Sequence, residues 1–518
     1  MPKETVKEGK LSEVKVAPYG SWLSPIKADW IAAGTIRLFD LVVDDSSVYW
    51  IELRPTEAGR HVIVRHDADG TAREINPPPF NARTRVHEYG GASYIPAWGG
   101  VVFVNFTDQG LYHVVDGSEP RRINNQADVR YADFIRDDWR NRLIAVCEDH
   151  TASDAEPVNS IAAIYPDGRS EVLISGNDFY SNPRVSPDGR FLAFLTWNHP
   201  FMPWDAAQLW VVRFNDDGSP SQPLYIAGSE DESIAEPLWS PDGDLYFVSD
   251  RSNWWNIYRV GRDTIETGQI SPKAVEPVVQ TDAEFTSPAW VFGNSHYGFI
   301  SDEKIICAYT RKGIWRLGEI DVRKNQLQEI ETPYTTISYL RIGGDEKIYF
   351  IAGKPDEPSA VVEMDYRTRQ VRRLCQASEL KIDKGYISTP ELIEFPTEGV
   401  FLCGTAHYPK HIREVISQAY GAASRVLTLL SRDTVTASGS VCEVDEKKCM
   451  GCGACISACT YGAIEFRETR QGKKAVVNPV ICKGDGLCNS MCPTGAISLK
   501  HFTDEEFLSQ IDAAVGDV

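Results

Sequence analysis

Seven cysteines toward the C-terminal end are the residues whose type and spacing can do chemistry. Cys449, Cys452, Cys455 and Cys459 run as C-x2-C-x2-C-x3-C. Cys482, Cys488 and Cys492 follow after a gap, with Pro493 behind the last. Thiolates this close in a loop wrap an iron–sulfur cubane, and the last cysteine of each run crosses to the other cluster. Structural zinc prefers two separated C-x2-C pairs, which this spacing does not give. The chemistry implied is one-electron transfer at two iron–sulfur clusters.

A shift of 33 residues lays the first run on the second: Cys449 falls on Cys482, Cys455 on Cys488, Cys459 on Cys492, and Gly462-Ala463-Ile464 on Gly495-Ala496-Ile497. This is the duplicated pattern of a two-cluster ferredoxin, whose fold has a pseudo-twofold axis. Cluster 1 is expected on Cys449, Cys452, Cys455 and the crossing Cys492. Cluster 2 is expected on Cys482, Cys488 and the crossing Cys459. One position breaks the repeat, because Cys452 falls on Asp485. A carboxylate oxygen is a harder and weaker ligand for this iron than a thiolate. Asp485 therefore reads as the fourth ligand of a labile [4Fe-4S] cluster, or as a turn residue beside a [3Fe-4S] cluster. Cys442 falls on Ala475 under the same shift and lies in a strand-like run, so it reads as a core or half-exposed thiol rather than a ligand.

The rest of the chain must carry and position this block. At 518 residues it exceeds what one hydrophobic core serves, so several domains are expected. Residues 401–518 hold 12 Lys and Arg against 13 Asp and Glu, so nearly all of the −20 formal charge lies in the first 400 residues. Such an acidic face argues against nucleic acid and anionic membrane. Cys147, Cys307 and Cys375 sit in or beside apolar runs and read as core thiols. The opening MPKETVKEGK has no apolar signal-peptide region, and no stretch reaches the roughly 18 apolar residues of a membrane span. A cytoplasmic, reducing, low-oxygen setting is expected.

Short apolar runs between polar turns dominate the first 400 residues. Val48-Tyr49-Trp50-Ile51, Val101-Val102-Phe103-Val104, Phe191-Leu192-Ala193-Phe194-Leu195, Leu245-Tyr246-Phe247-Val248 and Ile348-Tyr349-Phe350-Ile351 are examples. Ser186-Pro187-Asp188-Gly189 and Ser240-Pro241-Asp242-Gly243 are explicit turns 54 residues apart. A period near 50 with four strands per unit means a β-propeller. Seven blades are expected, with six or eight open to the same period, over 36–75, 86–126, 130–176, 180–228, 234–280, 286–330 and 336–375.

Two stretches carry family resemblances. Tyr19-Gly20-Ser21-Trp22-Leu23-Ser24-Pro25, Arg85-Val86-His87-Glu88-Tyr89-Gly90-Gly91 and Trp239-Ser240-Pro241-Asp242-Gly243 resemble the propeller of prolyl-oligopeptidase-family serine peptidases, in the acylaminoacyl-peptidase-like branch. The likeness runs from about residue 16 to Gly399. In that family the propeller leads into an α/β-hydrolase domain. The G-x-S-x-G nucleophile string of such a domain does not occur in this chain; Gly293-Asn294-Ser295-His296-Tyr297 comes nearest and fails at its last position. The resemblance implies a catalytically incomplete peptidase-like propeller that binds a peptide or a partner. His87 and Glu88 beside Arg85 read as a structural network at a blade edge, or as groups touching a peptide's amino end.

From Val400 the character changes. Val400–Lys410 reads as a strand, a glycine turn and a helix start, and 411–431 as an amphipathic helix. This stretch and the cysteine block resemble the C-terminal end of the A-type subunit of heterodisulfide reductase, through about residue 515. That resemblance implies electron transfer as part of a heterodisulfide-reductase-like oxidoreductase, with a redox partner protein or sister subunits. The dinucleotide fingerprint G-x-G-x-x-G is absent, so no FAD is expected, and Cys403 reads as a buried thiol. Thr503-Asp504-Glu505-Glu506 fits a capping box for a short last helix.

The expected fold is multidomain: an all-β seven-bladed propeller followed by a small α+β dicluster ferredoxin-like domain. The domains are an N-terminal segment (1–35), the propeller (36–399), a strand–turn–helix remnant of an FAD-binding domain (400–435), the ferredoxin-like domain (436–500) and a C-terminal helix (501–518).

Overall fold

In the computed structural model the described residues are 35–379 apart from 125, 127, 153–155 and 345, then 387, 389, 390, 441–500 apart from 471, and 508. Apart from Thr35 and Leu508, the expected N-terminal segment, the strand–turn–helix with Cys403 and the last helix lie outside them. The chain divides into two compact units, Met1–Thr389 and Pro390–Val518.

The first unit is built from seven four-stranded antiparallel sheets, each in chain order. They span 37–74, 94–122, 129–175, 179–227, 234–277, 297–330 and 336–376. These are the seven blades of a propeller. In the second blade, strand pairing begins only at Tyr94; residues 86–93 lead in as turns and a bridge.

Blade packing explains the apolar runs. Phe191–Trp197 and Leu245–Ser249 are buried at every position, because both faces of a blade's inner strands meet a neighbouring blade. Outermost strands such as Ala72–Glu74 are exposed throughout. Phe191, Trp239, Phe247 and Tyr258 share one apolar cluster between the fourth and fifth blades. Full burial of a Phe contributes about 1.5–3 kcal/mol, so a few such side chains hold each interface. The ring closes by the same means: Leu38 and Trp50 of the first blade pack with Val361 of the last. Ile36 N–H also donates to the Ala377 carbonyl at 2.9 Å.

The two Ser-Pro-Asp-Gly stretches form the turns read from their sequence. Gly189 has φ of +69° and Gly243 of +96°, and their N–H groups return to the Ser186 and Ser240 carbonyls at 2.8 and 3.0 Å. Gly189 also lies under the Trp139 ring, where a Cβ would not fit.

A second repeated device, on every other blade, links that blade to the next. The innermost strands carry bulges, with Asp40, Asp133 and Glu236 at φ of 50°, 52° and 49°. Each carboxylate accepts an N–H from the next blade: Ala92 at 3.0 Å, Asn182 at 2.6 Å and His296 at 2.7 Å. Two tyrosines add to the latch, with the Tyr94 hydroxyl on the Asp40 carbonyl and the Tyr297 hydroxyl on the Glu236 carbonyl, both at 2.7 Å.

Burial raises the Asp40 carboxyl from 3.8 to about 7, against the opposing pull of the Ala92 N–H and Arg341. The folded chain thus favours the protonated form. That contribution is complete below the unfolded value and is lost as pH rises through the folded value. Asp40→Asn keeps an acceptor for Ala92 and tolerates the left-handed backbone. Its melting temperature should rise relative to wild type as pH goes from about 5 to about 9, reflecting on the order of 2–4 kcal/mol. Parallel melting curves across that range would contradict this.

Candidate functional site

The 441–500 unit is two short antiparallel pairs and two helical turns. Cys442–Val444 pairs with Ile497–Leu499, and Ile464–Thr469 with Gly472–Val477. The turns are Ala454–Ala458 and Leu487–Ser490.

The 33-residue repeat holds hydrogen bond by hydrogen bond. Cys449 N–H returns to the Asp445 carbonyl, and Cys482 N–H to that of Asn478, both at 3.0 Å. Asp445 N–H reaches the Ala496 carbonyl, and Asn478 N–H that of Ala463, both at 2.7 Å. The side chains of Asp445 and Asn478 cap the Lys447 and Val480 N–H groups at 2.9 and 3.0 Å. Sequence reasoning missed this pair. The available signal was an Asp or Asn four residues before each leading cysteine.

Left-handed glycines turn the thiols inward. Gly451 and Gly484 have φ of 70° and 68°; Gly453 and Gly486 have 81° and 72°. The result is a core of sulfur: Cys442, Cys455 and Cys488 are buried with Ile464 and Ile497, and Cys449, Cys459, Cys482 and Cys492 pack partly buried against them.

Cys449, Cys452, Cys455 and Cys492 line one cavity, with Ala475 and Ile497 on its apolar wall. The cysteine of the second run thus meets three of the first. Backbone N–H groups point at four sulfurs in repeat-related pairs. Ala475 donates to Cys449 Sγ at 3.5 Å and Cys442 to Cys482 Sγ at 3.5 Å. Ala463 donates to Cys459 Sγ at 3.4 Å and Ala496 to Cys492 Sγ at 3.2 Å. Burial raises the Cys492 thiol, but N–H groups of Thr494, Ala496 and Ile497 with the Thr494 hydroxyl outweigh it and hold the thiol below its usual value. Burial pushes the Cys455 and Cys488 thiols up. This donor set fits iron–sulfur clusters: soft sulfurs, apolar walls and N–H groups aimed at the ligand atoms.

Residues 448–496 match the family model of the 4Fe-4S dicluster domain. The tail is a 4Fe-4S dicluster domain. It holds two iron–sulfur clusters. The chain is 44% identical over 119 residues to an Archaeoglobus profundus protein that is itself like the A-type subunit of heterodisulfide reductase, covering 23% of this chain and 17% of that one. It is 43% identical over 122 residues to the A-type subunit of the ferredoxin:CoB-CoM heterodisulfide reductase of Methanosarcina mazei, covering 24% and 15%. The chain thus spans under a fifth of these curated relatives. The propeller is similar to a puromycin-hydrolysing peptidase of Mycobacterium tuberculosis, with 34% identity, a TM-score of 0.66, and coverage of 72% of this chain and 59% of that one. A puromycin hydrolase variant gives 30%, 0.68, 74% and 60%. The composite resemblance read from the sequence stands.

Two residues of the dicluster domain differ in type from their repeat partners, Asp485 from Cys452 and Cys442 from Ala475. Asp485 is exposed, and its Oδ1 accepts the Leu487 N–H at 3.2 Å, starting the second helical turn. Cys442 is buried, with its Sγ 3.3 Å from Cys488 Sγ. Burial and the Cys488 and Cys482 sulfurs push the Cys442 thiol well above its usual value.

The candidate peptide-contacting groups on the propeller separate. His87 is packed edge-on to Phe179 and Trp197, at 5.1 and 5.6 Å between ring centres. Burial holds it neutral, at about 4. Arg85 instead lies over the Phe106 ring at 4.4 Å. Ser295, in the nearest approach to a nucleophile string, donates its hydroxyl to the Leu340 carbonyl at 2.7 Å.

Gly451 tests the loop geometry. A Cβ there would run into the Lys473 carbonyl oxygen, at a φ of +70°. Gly495 has φ of +58° and nothing within 4 Å of a Cβ. Gly451→Ala should therefore cost more than the about 1–3 kcal/mol of a strained backbone alone, and Gly495→Ala no more than that. Iron retained per chain after desalting should fall in Gly451→Ala and stay near wild type in Gly495→Ala. Equal retention would contradict this assignment.

Proposed function

We propose that the dicluster domain is a one-electron relay, held by the seven cysteines of the repeat. Cys449, Cys452, Cys455 and Cys492 hold a [4Fe-4S] cluster. Cys459, Cys482 and Cys488 hold the other, as [4Fe-4S] or [3Fe-4S], and Asp485 stands where the repeat places a fourth ligand. When bound, such clusters supply reversible one-electron chemistry. The observation that carries this reading is the symmetric set of N–H groups aimed at Cys449, Cys459, Cys482 and Cys492. Those dipoles offset thiolate charge and so favour the reduced state. The apolar walls around Ala475 and Ile497 limit water at the sulfurs.

The likeness to the A-type subunit of heterodisulfide reductase supports a redox partner protein, or sister subunits of a heterodisulfide-reductase-like complex, on either side of the relay. The missing dinucleotide fingerprint supports a chain without its own FAD. Among the described residues no helix is long and apolar enough to cross a membrane. Oxygen-sensitive thiolates suit the reducing cytoplasm.

Protein purified without air should be brown, hold about eight iron per chain with both clusters four-iron or about seven with one three-iron, and bleach reversibly with dithionite. Heat denaturation should release no flavin. A colourless chain that binds only zinc would end the relay reading, and equimolar released FAD the flavin-free one.

A second reading gives the propeller a peptide ligand. An aromatic group favours it: Tyr89 is 59% exposed and meets Trp290 edge-on at 5.6 Å, and Trp204 lies 4.3 Å from Trp290. The Trp290 indole N–H is buried without a partner. A short aromatic peptide with a free amino end should quench tryptophan fluorescence of the full chain, and Trp290→Leu should weaken the effect about tenfold, the loss of one hydrogen bond and a ring contact. No quenching at millimolar peptide would remove this reading.

A further inference from the structure

We infer that Cys442 is the fourth thiolate of the second cluster, in place of Asp485. The inference rests on the two-cluster reading above. Relative to the first site, the second has lost a thiol at one repeat position and gained one at another. Site 1 has Cys452 and Ala475 where site 2 has Asp485 and Cys442. Both sites therefore keep four thiols.

The geometry places Cys442 at that site. Its N–H donates to Cys482 Sγ at 3.5 Å, as the Ala475 N–H does to Cys449 Sγ. Cys442 and Ala475 are thus structural equivalents, and Ala475 lines the cavity of site 1. A side chain on the equivalent strand residue faces site 2. The Cys442 Sγ is 3.3 Å from Cys488 Sγ, and the residue is only 3% exposed. Thiolates on one cubane stand farther apart than this. Ligation therefore needs a rotation about the Cys442 Cα–Cβ bond, which moves the sulfur without moving the strand. Asp485 meanwhile has another task, since its Oδ1 caps Leu487 at 3.2 Å. Thiolate is also the softer donor, and iron in a sulfide cluster prefers it.

Ligation exchanges the S–H bond of Cys442 for an S–Fe bond. The proton leaves to solvent, and no iron or sulfur changes oxidation state. The second cluster then has four thiolates and is four-iron.

The test uses the full chain, prepared without air and reconstituted with iron and sulfide. Cys442→Ala installs the residue found at the equivalent position 475, which the fold accommodates. It should lose about one iron per chain and show the EPR signal of an oxidised three-iron cluster. Asp485→Ala should keep wild-type iron and spectra. Cys452→Ala should give the three-iron signal from site 1 and serves as the reference. Cys442→Ser, with an oxygen in reach of the same iron, should keep four irons with altered spectra. Wild-type iron and spectra in Cys442→Ala would overturn the inference alone. So would a three-iron signal from Asp485→Ala. Wild-type protein without any iron–sulfur chromophore would instead overturn the relay reading, and this inference with it.

Discussion

Packing around sulfur is the constraint on residues 441–500. Their buried set is three thiols with two isoleucines and Ala475, and four more thiols press against it. Sulfur atoms stand where another small domain would place leucines. Thiolate–metal bonds add to that packing when clusters are bound, which couples cluster binding to folding. The rest of the unit follows from this. Thiols two or three residues apart cannot all face one point from a regular helix or strand. Glycines at positive φ must break the chain between them, as at 451, 453, 484 and 486. The helical turns Ala454–Ala458 and Leu487–Ser490 are correspondingly short.

Duplication then fixes where asymmetry can reside. Capping bonds, strand pairs and N–H groups toward sulfur all recur at a spacing of 33. A substitution in one half has a control in the other. Asp485 against Cys452 is a difference in a loop, and Cys442 against Ala475 a difference in a strand. Taken singly, the first looks like a weakened site and the second like a stray core thiol. The 3.3 Å between Cys442 and Cys488 sets the strand difference beside the same run of cysteines as the loop difference.

Much of this was legible in the sequence because its signals were local. Cysteine spacing is read along a few residues, and Ser-Pro-Asp-Gly turns name their own geometry. The near-50 period counts blades because each blade must repeat the same strand chemistry. The carboxylate latches were not legible. Asp40, Asp133 and Glu236 look like acidic residues in strand-like runs, and their partners lie 49 to 60 residues away. His87 was singled out because its neighbours are polar in sequence, yet its ring is enclosed by Phe179, Trp197 and Phe292 from other blades. Cys442 reads as a core thiol because it falls on Ala475 in a strand-like run. The shift onto Ala475 shows its position, but only the fold shows that this position faces sulfur.

The propeller solves the opposite problem from the dicluster domain. It has abundant hydrocarbon and many strand edges, and it must close a ring without leaving inner edges unpaired. Among the described residues no blade borrows a strand from the other end of the chain; the first and last are each one continuous stretch. Closure instead uses face packing of Leu38 and Trp50 on Val361, sealed by the Ile36–Ala377 bond. Bulges with left-handed carboxylates then tie inner strands to their neighbours, at the cost of burying charge. That cost appears as the raised carboxyl of Asp40. The hydrogen bonding of the ring therefore closes on itself, and its blades need no ligand or metal to define them.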